Sequence, residues 1–142
     1  NPKWLSRIEL QIGSTPGTWE QLGWSDDCTY QIHSWIHAPG PGTEIPPEGI
    51  ALTGSAYAGS RAIARVEVSQ DAGTTWTEAS IDYPPGPNVW TLWSFLLIPE
   101  ITGEIEVWVR ATTTDGEIQS DQEAYDSDLD GFEGIHKRTY TA

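Results

Sequence analysis

The sequence has no methionine, a single cysteine, three histidines and only seven lysines and arginines. One cysteine cannot form an internal disulfide, so the redox compartment stays undetermined. The formal net charge is −14, and no basic stripe is present that could neutralise phosphates, which excludes nucleic acid as a partner. No run of about 20 apolar residues occurs, so we expect no membrane span.

Residues that carry chemistry are equally scarce. His33 and His37 lie four residues apart, and on a strand their side chains would stand about 13 Å apart, too far to share a zinc ion. Cys28 follows two aspartates whose charges disfavour a thiolate, so we expect a packed or bystander thiol. No serine-histidine-aspartate order, phosphate loop or pair of glycosidase carboxylates is present. We therefore predict no catalytic residue and no cofactor-binding residue in this chain.

Aromatic residues and turn signals are abundant instead. The eight tryptophans are many for 142 residues, and we expect most of them in a core or an interface. Apolar and polar residues alternate with a period of two in several short runs separated by glycine and proline. The predicted strands are 4–12, 30–37, 49–56, 62–69, 75–82, 89–98, 104–111 and 135–141. Both faces of 89–98 are apolar, so we expect a central strand that is buried on both faces. The pair Asp115-Gly116 predicts a hairpin turn after 104–111. The pattern predicts one all-β domain over residues 1–142, a sandwich of about seven to eight strands.

The most informative stretch is the hairpin within residues 54–76. Asp71 and Gly73 supply turn chemistry, an aspartate that can bond its own backbone and a glycine that tolerates a positive φ. Trp76 opens the return strand, and we expect it to be buried. The same residues fit the Asp-box hairpin of sialidase-type propellers, but the motif occurs once and no internal repeat accompanies it, which excludes a propeller.

This hairpin also carries a family resemblance. The run from Gly54 to Trp76, the run from Val107 to Gln119 (VWVRATTTDGEIQ) and the closing Ile135-His136-Lys137-Arg138 resemble the C-terminal domain of sulfite-oxidase-type molybdenum enzymes. Lys3-Trp4-Leu5 looks like the entry into that domain. The resemblance implies an immunoglobulin-like (E-set) sandwich through which the parent enzyme forms a homodimer. The parent would carry molybdopterin in an upstream catalytic domain and oxidise a small oxyanion such as sulfite or reduce nitrate.

A chain without methionine that starts at Asn1 agrees with a domain taken from a longer protein. The resemblance also favours an extracytoplasmic compartment, which the sequence itself leaves undecided. In this family the arginine of a closing tryptophan-histidine-arginine strand reaches the anion pocket of the catalytic domain. If His136 is equivalent to that histidine, Lys137 takes the arginine position and Arg138 follows it on the opposite face. Arg61, His136, Lys137 and Arg138 are therefore candidates for a substrate pocket or interface, and a solvated basic group is the alternative.

Two further readings stay open. Asp126, Asp128 and Asp130, followed by Gly131, match the first half of a calcium loop, but Lys137 stands where the bidentate glutamate belongs, so a solvated acidic loop is the alternative. Exposed tryptophans could also stack on sugars or on a protein. A tryptophan-rich extracellular module that binds carbohydrate or protein is therefore the competing function.

Overall fold

The computed structural model describes residues 3–10, 12–24, 30–83, 85–121 and 134–142. Within them, eight strands form two four-stranded sheets whose named pairs are all antiparallel. Sheet 1 has the order β1-β2-β6-β5 and sheet 2 the order β4-β3-β7-β8. The strands are β1 (His33–Ala38), β2 (Ile50–Tyr57), β3 (Ile63–Ser69), β4 (Thr77–Glu78), β5 (Ser80–Ile81), β6 (Thr91–Leu97), β7 (Glu104–Thr113) and β8 (His136–Thr141). The prediction of an all-β, immunoglobulin-like sandwich is confirmed.

The core lies between the sheets and follows the period of two in the strands. On β7, Ile105, Val107, Val109 and Ala111 are buried, as their alternation predicts. Trp93 of β6 and Tyr140 of β8 are the largest fully buried side chains. A buried polar link joins the layers, since the Ser34 hydroxyl on β1 donates to Gln119 Oε1 at 2.6 Å, and the same oxygen accepts the Ala111 amide of β7.

The return arm of the hairpin differs from the single strand predicted for 75–82. Residues Thr77–Glu78 pair with β3 in sheet 2, whereas Ser80–Ile81 pair with β6 in sheet 1. The chain changes sheets at Ala79, which is buried, and whose amide donates to the carbonyl of Val66 at 2.9 Å. This arm therefore supplies one edge strand to each sheet, β4 to sheet 2 and β5 to sheet 1.

The alternation predicted for 62–69 is interrupted near its start. The β3–β7 register shifts between Ile63 and Arg65, so Ile63 turns into the core while Ala64 is exposed. A bulge adds one residue to one strand and so reverses the side-chain order on its far side. Val66 and Val68 then point inward as predicted.

Two predictions about apolar segments are wrong. Residues 4–12 show no strand in their described part, and the side chains of Trp4, Leu10 and Ile12 are 94%, 102% and 108% exposed, because the described sandwich offers this segment no neighbour to pair with. The segment 89–98 is a central strand, as predicted, but only one of its faces is covered. Trp93 and Leu97 point into the core, while Trp90, Leu92, Leu96 and Ile98 are exposed.

Candidate interaction surfaces

The hairpin turn after β3 is organised by Asp71. Its carboxylate accepts hydrogen bonds from the Thr75 amide at 2.8 Å, the Thr75 hydroxyl at 2.7 Å and the Ser69 hydroxyl at 2.7 Å. These donors, the Thr75 amide foremost, lower the pKa of Asp71 to about 2. Gly73 has a φ of 83°, and a Cβ built there would meet the Trp108 ring at 3.0 Å. Every interaction of Asp71 is local, so the turn serves folding.

Trp76 lies on the outer face of sheet 2 and not in the core, which corrects the expectation of burial. Its indole N–H donates to the Gly73 carbonyl at 2.9 Å, and the Arg110 guanidinium lies 4.0 Å from the ring centroid. Arg110 also donates to Glu67 at 2.9 Å. Trp76 is therefore half-buried against Arg110 of β7, which is itself paired with Glu67 of β3.

Adjacent residues of β8 face opposite ways. Lys137 is exposed on the outer face of sheet 2, with its ammonium 4.4 Å from the Trp108 ring centroid. His136 and Arg138 turn towards β1 of the other sheet. The Ile36 amide donates to His136 Nδ1 at 3.2 Å, and Arg138 donates to the Pro39 carbonyl at 2.8 Å. Burial, followed by the charges of Arg138 and His37, lowers the pKa of His136.

Arg61 stands apart from the other basic candidates. It pairs with Glu117 and donates to the Tyr30 carbonyl at 3.2 Å, beyond the Thr113 end of β7. His136 and Arg138 pair with Val109 and Val107, so four to six residues of β7, about 13–20 Å, separate the two places. The structure therefore brings His136 and Arg138 together at β1 and separates both from Arg61, with Lys137 on the opposite face.

Sheet 1 carries a surface that the sequence analysis did not identify. Five rings form a connected cluster on its outer side, which we call the aromatic face: Tyr30, His33, Trp35, Tyr57 and Trp90. Their centroids lie 4.8 to 5.8 Å apart, with His33 stacked on Trp35 at 5.0 Å and Tyr57 stacked on Trp90 at 4.8 Å. The alternation of β1 predicts that His33 and Trp35 lie on one face. The observed register with β2 then places Tyr57 opposite His33.

The aromatic face continues into a shallow apolar depression. A cavity of about 290 Å³ is lined by Trp35, His37, Ser55, Trp90 and Leu92. His37 Nε2 and the Ser55 hydroxyl are hydrogen-bonded at 2.8 Å across it. No aspartate, glutamate, lysine or arginine occurs in the four strands of sheet 1. Burial lowers the pKa of His33, which favours its neutral form on this face.

Comparison with known protein families identifies the family of this domain. The family model "Mo-co oxidoreductase dimerisation domain" matches residues 27–128. This chain belongs to that family. The resemblance to the C-terminal domain of sulfite-oxidase-type enzymes is thereby confirmed, and the competing carbohydrate- or protein-binding module is not supported.

Relatives of this dimerisation domain are much longer proteins. Sulfite oxidase from Gallus gallus is 29% identical over 145 residues, which cover 86% of this chain and 31% of that protein. Nitrate reductase (NADH) 2 from Phaseolus vulgaris is 38% identical over 121 residues, covering 75% of this chain and 13% of that protein. The solved sulfane dehydrogenase SoxCD from Paracoccus pantotrophus shares the fold, with a TM-score of 0.66, 24% identity, and coverage of 78% of this chain and 30% of that one. The dimerisation domain thus spans about a third or less of each.

The calcium half-motif and the cysteine of the dimerisation domain complete the set of candidate residues. Asp126, Asp128 and Asp130 of the calcium half-motif, and Cys28, are outside the described residues. Within the described ranges, no three His, Cys, Asp or Glu side chains come together as a metal site. The described ranges contain no helix that is long and apolar enough to cross a membrane.

Proposed function

We propose that this chain is the non-catalytic dimerisation and support domain of a molybdenum-cofactor-dependent oxidoreductase similar to sulfite oxidase. The observation that carries the proposal is the family match over 27–128, a region that coincides with most of the sandwich. In the proposed parent, an upstream catalytic domain holds molybdopterin and acts on a small oxyanion. Sulfite and nitrate are the two anions that the relatives' names suggest.

The segment 4–12 supports a contact with that catalytic domain. It lies outside the residues matched by the dimerisation family. Its alternating side chains Trp4, Ile8, Leu10 and Ile12 are all exposed in the described chain. A two-residue period of apolar side chains is typical of a strand with one buried face. We infer that this segment completes its pairing on the catalytic domain, which would anchor the two domains to each other.

The second part of the support role is an anion contact. Lys137 is exposed on the outer face of sheet 2 with its ammonium over the Trp108 ring, whereas Arg138 donates to backbone carbonyls of the β1 region. We infer that Lys137, which follows His136 at the arginine position of the family's closing strand, is the cation offered to the oxyanion pocket. A lysine acts there as a point charge and lacks the planar fork of an arginine.

Removing the domain from the parent tests the main proposal. We expect the complete parent to sediment as a dimer and a version lacking residues 27–142 to sediment as a monomer that still retains molybdopterin. The 142-residue chain alone should associate weakly and reversibly in sedimentation equilibrium. A truncated parent that remains dimeric, or that loses its cofactor stoichiometrically, would contradict a non-catalytic dimerisation role.

A further inference from the structure

We propose that the aromatic face of sheet 1, together with Leu92, is the surface on which a second copy of this chain docks. The inference rests on the proposed dimerisation function and assigns a place and a partner to it. The arguments are the charge of the two sheets, the mutual packing of the rings and the size of the face.

Charge separates the two outer faces of the sandwich. Two copies of a chain with a net charge of −14 repel each other, so a self-contact must keep carboxylates away from the joint. The strands of sheet 1 contain no charged residue. The strands of sheet 2 contain eight: Arg65, Glu67, Glu78, Glu104, Glu106, Arg110, Lys137 and Arg138. Near sheet 1, Asp82 stands beside β5 and accepts a hydrogen bond from Ser94 at 2.8 Å.

The rings are held in place before any partner arrives. Tyr30 meets His33 and Tyr57 edge to face at 79° and 81°, while His33 stacks on Trp35 and Tyr57 stacks on Trp90. Packed rings lose little rotamer freedom on association, and aromatic side chains are the common anchors of protein interfaces. Neighbouring rings also cover part of each other's π-surfaces, which leaves less open platform for a sugar and favours an apolar protein contact.

The area of the face sets the strength of the contact. Strands β1, β2 and β6 have six, eight and seven residues and β5 has two. At about 3.3 Å per residue and about 4.8 Å between strands, they give a face of roughly 360 Å². A standard stable interface covers about 800 Å² on each partner, so this face alone makes a weak dimer. A second copy related by a two-fold axis places the same neutral patch on itself, which satisfies an isologous contact.

Leu92→Glu tests the assignment, with Ile101→Glu as its matched control. Both side chains are about half exposed, at 48% and 58%, and both substitutions add one negative charge. Leu92 lies on β6 in the proposed contact, and Ile101 lies in the loop before β7. In sedimentation equilibrium of the full chain at moderate salt, we expect Leu92→Glu to raise the dimer Kd at least about tenfold relative to Ile101→Glu. Trp90→Ser should weaken the dimer in the same direction without adding charge, and near-UV circular dichroism will report whether each variant is folded.

The outcomes separate this inference from the function on which it rests. If the wild type dimerises and both folded sheet 1 variants match Ile101→Glu, the second copy docks elsewhere, and the dimerisation function stands. If the wild type and Ile101→Glu remain monomeric at every concentration, both the docking surface and the dimerisation function are overturned for this chain. Titration with cellohexaose provides the last outcome, since saturable quenching of tryptophan fluorescence that also dissociates the dimer would reassign the aromatic face to glycan binding.

Discussion

At the scale of single residues, Lys137 and Arg138 show how much depends on which way a strand side chain points. They are neighbours in the sequence, and the pleat of β8 places them on opposite faces. Arg138 donates to the carbonyls of His37 and Pro39, and Lys137 contacts the Trp108 ring on the other face. The alternation, and so the separation of the two charges, could be predicted from the sequence. The carbonyl partners of Arg138 could not, because they lie about a hundred residues away and depend on how the sheets meet.

In the complete parent, Lys137→Gln should weaken the use of the oxyanion substrate. Removing a charge-assisted contact of about 1.4 kcal/mol would raise KM about tenfold and leave kcat within about twofold. Steady-state kinetics with sulfite and with nitrate would measure the two constants separately. Lys3→Gln is the matched control, because Lys3 is the other lysine of the chain and lies outside the sandwich strands. Equal kinetics for the two variants would show that Lys137 does not reach the anion.

Gly54 is a second residue whose role required the fold. A Cβ built on it would lie 2.0 Å from the Trp35 carbonyl oxygen and 2.3 Å from the Trp93 ring. Only a glycine lets the Trp93 indole approach β2 this closely in the core. The sequence shows the glycine and the tryptophan, but their approach depends on the β2–β6 register, which pairs Gly54 with Trp93.

At the scale of elements, the contact between β8 and β1 closes one side of the sandwich. The His136 imidazole accepts the Ile36 amide, Arg138 donates to Pro39, and the Tyr140 hydroxyl donates to the same carbonyl at 3.2 Å. These bonds satisfy backbone groups in and just after β1, which is an edge strand of sheet 1 among the described residues. We call this set of contacts the β1–β8 clasp.

The β1–β8 clasp should weaken when His136 takes up a proton. A protonated imidazole cannot accept the Ile36 hydrogen bond, and the pKa of His136 is already lowered by burial and by the nearby cations. A histidine whose pKa is lowered on folding contributes stability that is complete above its unfolded pKa, about 6.5, and is lost as the pH falls through its folded pKa. We expect His136→Phe to lower the free energy of unfolding by about 1 kcal/mol at pH 8. The difference from wild type should shrink towards pH 5 in urea titrations.

Tyr140→Phe is the control for that experiment. It removes another hydrogen bond of the β1–β8 clasp, and burial raises the pKa of Tyr140 above its usual value, so the hydroxyl keeps its proton between pH 5 and 8. Its stability deficit should therefore be the same at both ends of the range. If the loss of unfolding free energy in His136→Phe is also the same at pH 5 and pH 8, protonation of the imidazole does not weaken the β1–β8 clasp.

Strand positions were predicted well for strands that pair inside a sheet. They were predicted poorly for the segment that shows no pairing among the described residues. The alternation of β7 and the turn at Asp115-Gly116 match the structure, with the Thr113 amide donating to the Glu117 carbonyl at 2.9 Å. The segment 4–12 has an equally clear alternation but shows no strand among its described residues, because alternation indicates a face that can be buried and not the surface that covers it. The change of sheet at Ala79 leaves no periodic signal, because the two strands on either side of it have only two residues each.

At the scale of the whole molecule, charge and aromatic surface lie on different sheets. All eight charged strand residues belong to sheet 2, and the connected rings belong to sheet 1. The sequence shows the total charge and the number of tryptophans. Their separation follows from the topology, in which the chain changes sheet after every second strand. The fold class was therefore predictable from sequence, whereas the candidate docking surface required the topology.

This separation predicts that salt strengthens the dimer. Two copies with a net charge of −14 repel each other over a Debye length of about 30 Å at 0.01 M salt, and over only about 8 Å at 0.15 M. A contact made by neutral rings loses nothing to screening, so the dimer Kd of the 142-residue chain should fall several-fold between these two salt concentrations. Sedimentation equilibrium at several protein concentrations would measure it. A Kd that rises with salt would indicate ion pairs across the joint, and would place the contact on sheet 2, where Arg65, Arg110 and Lys137 stand among glutamates.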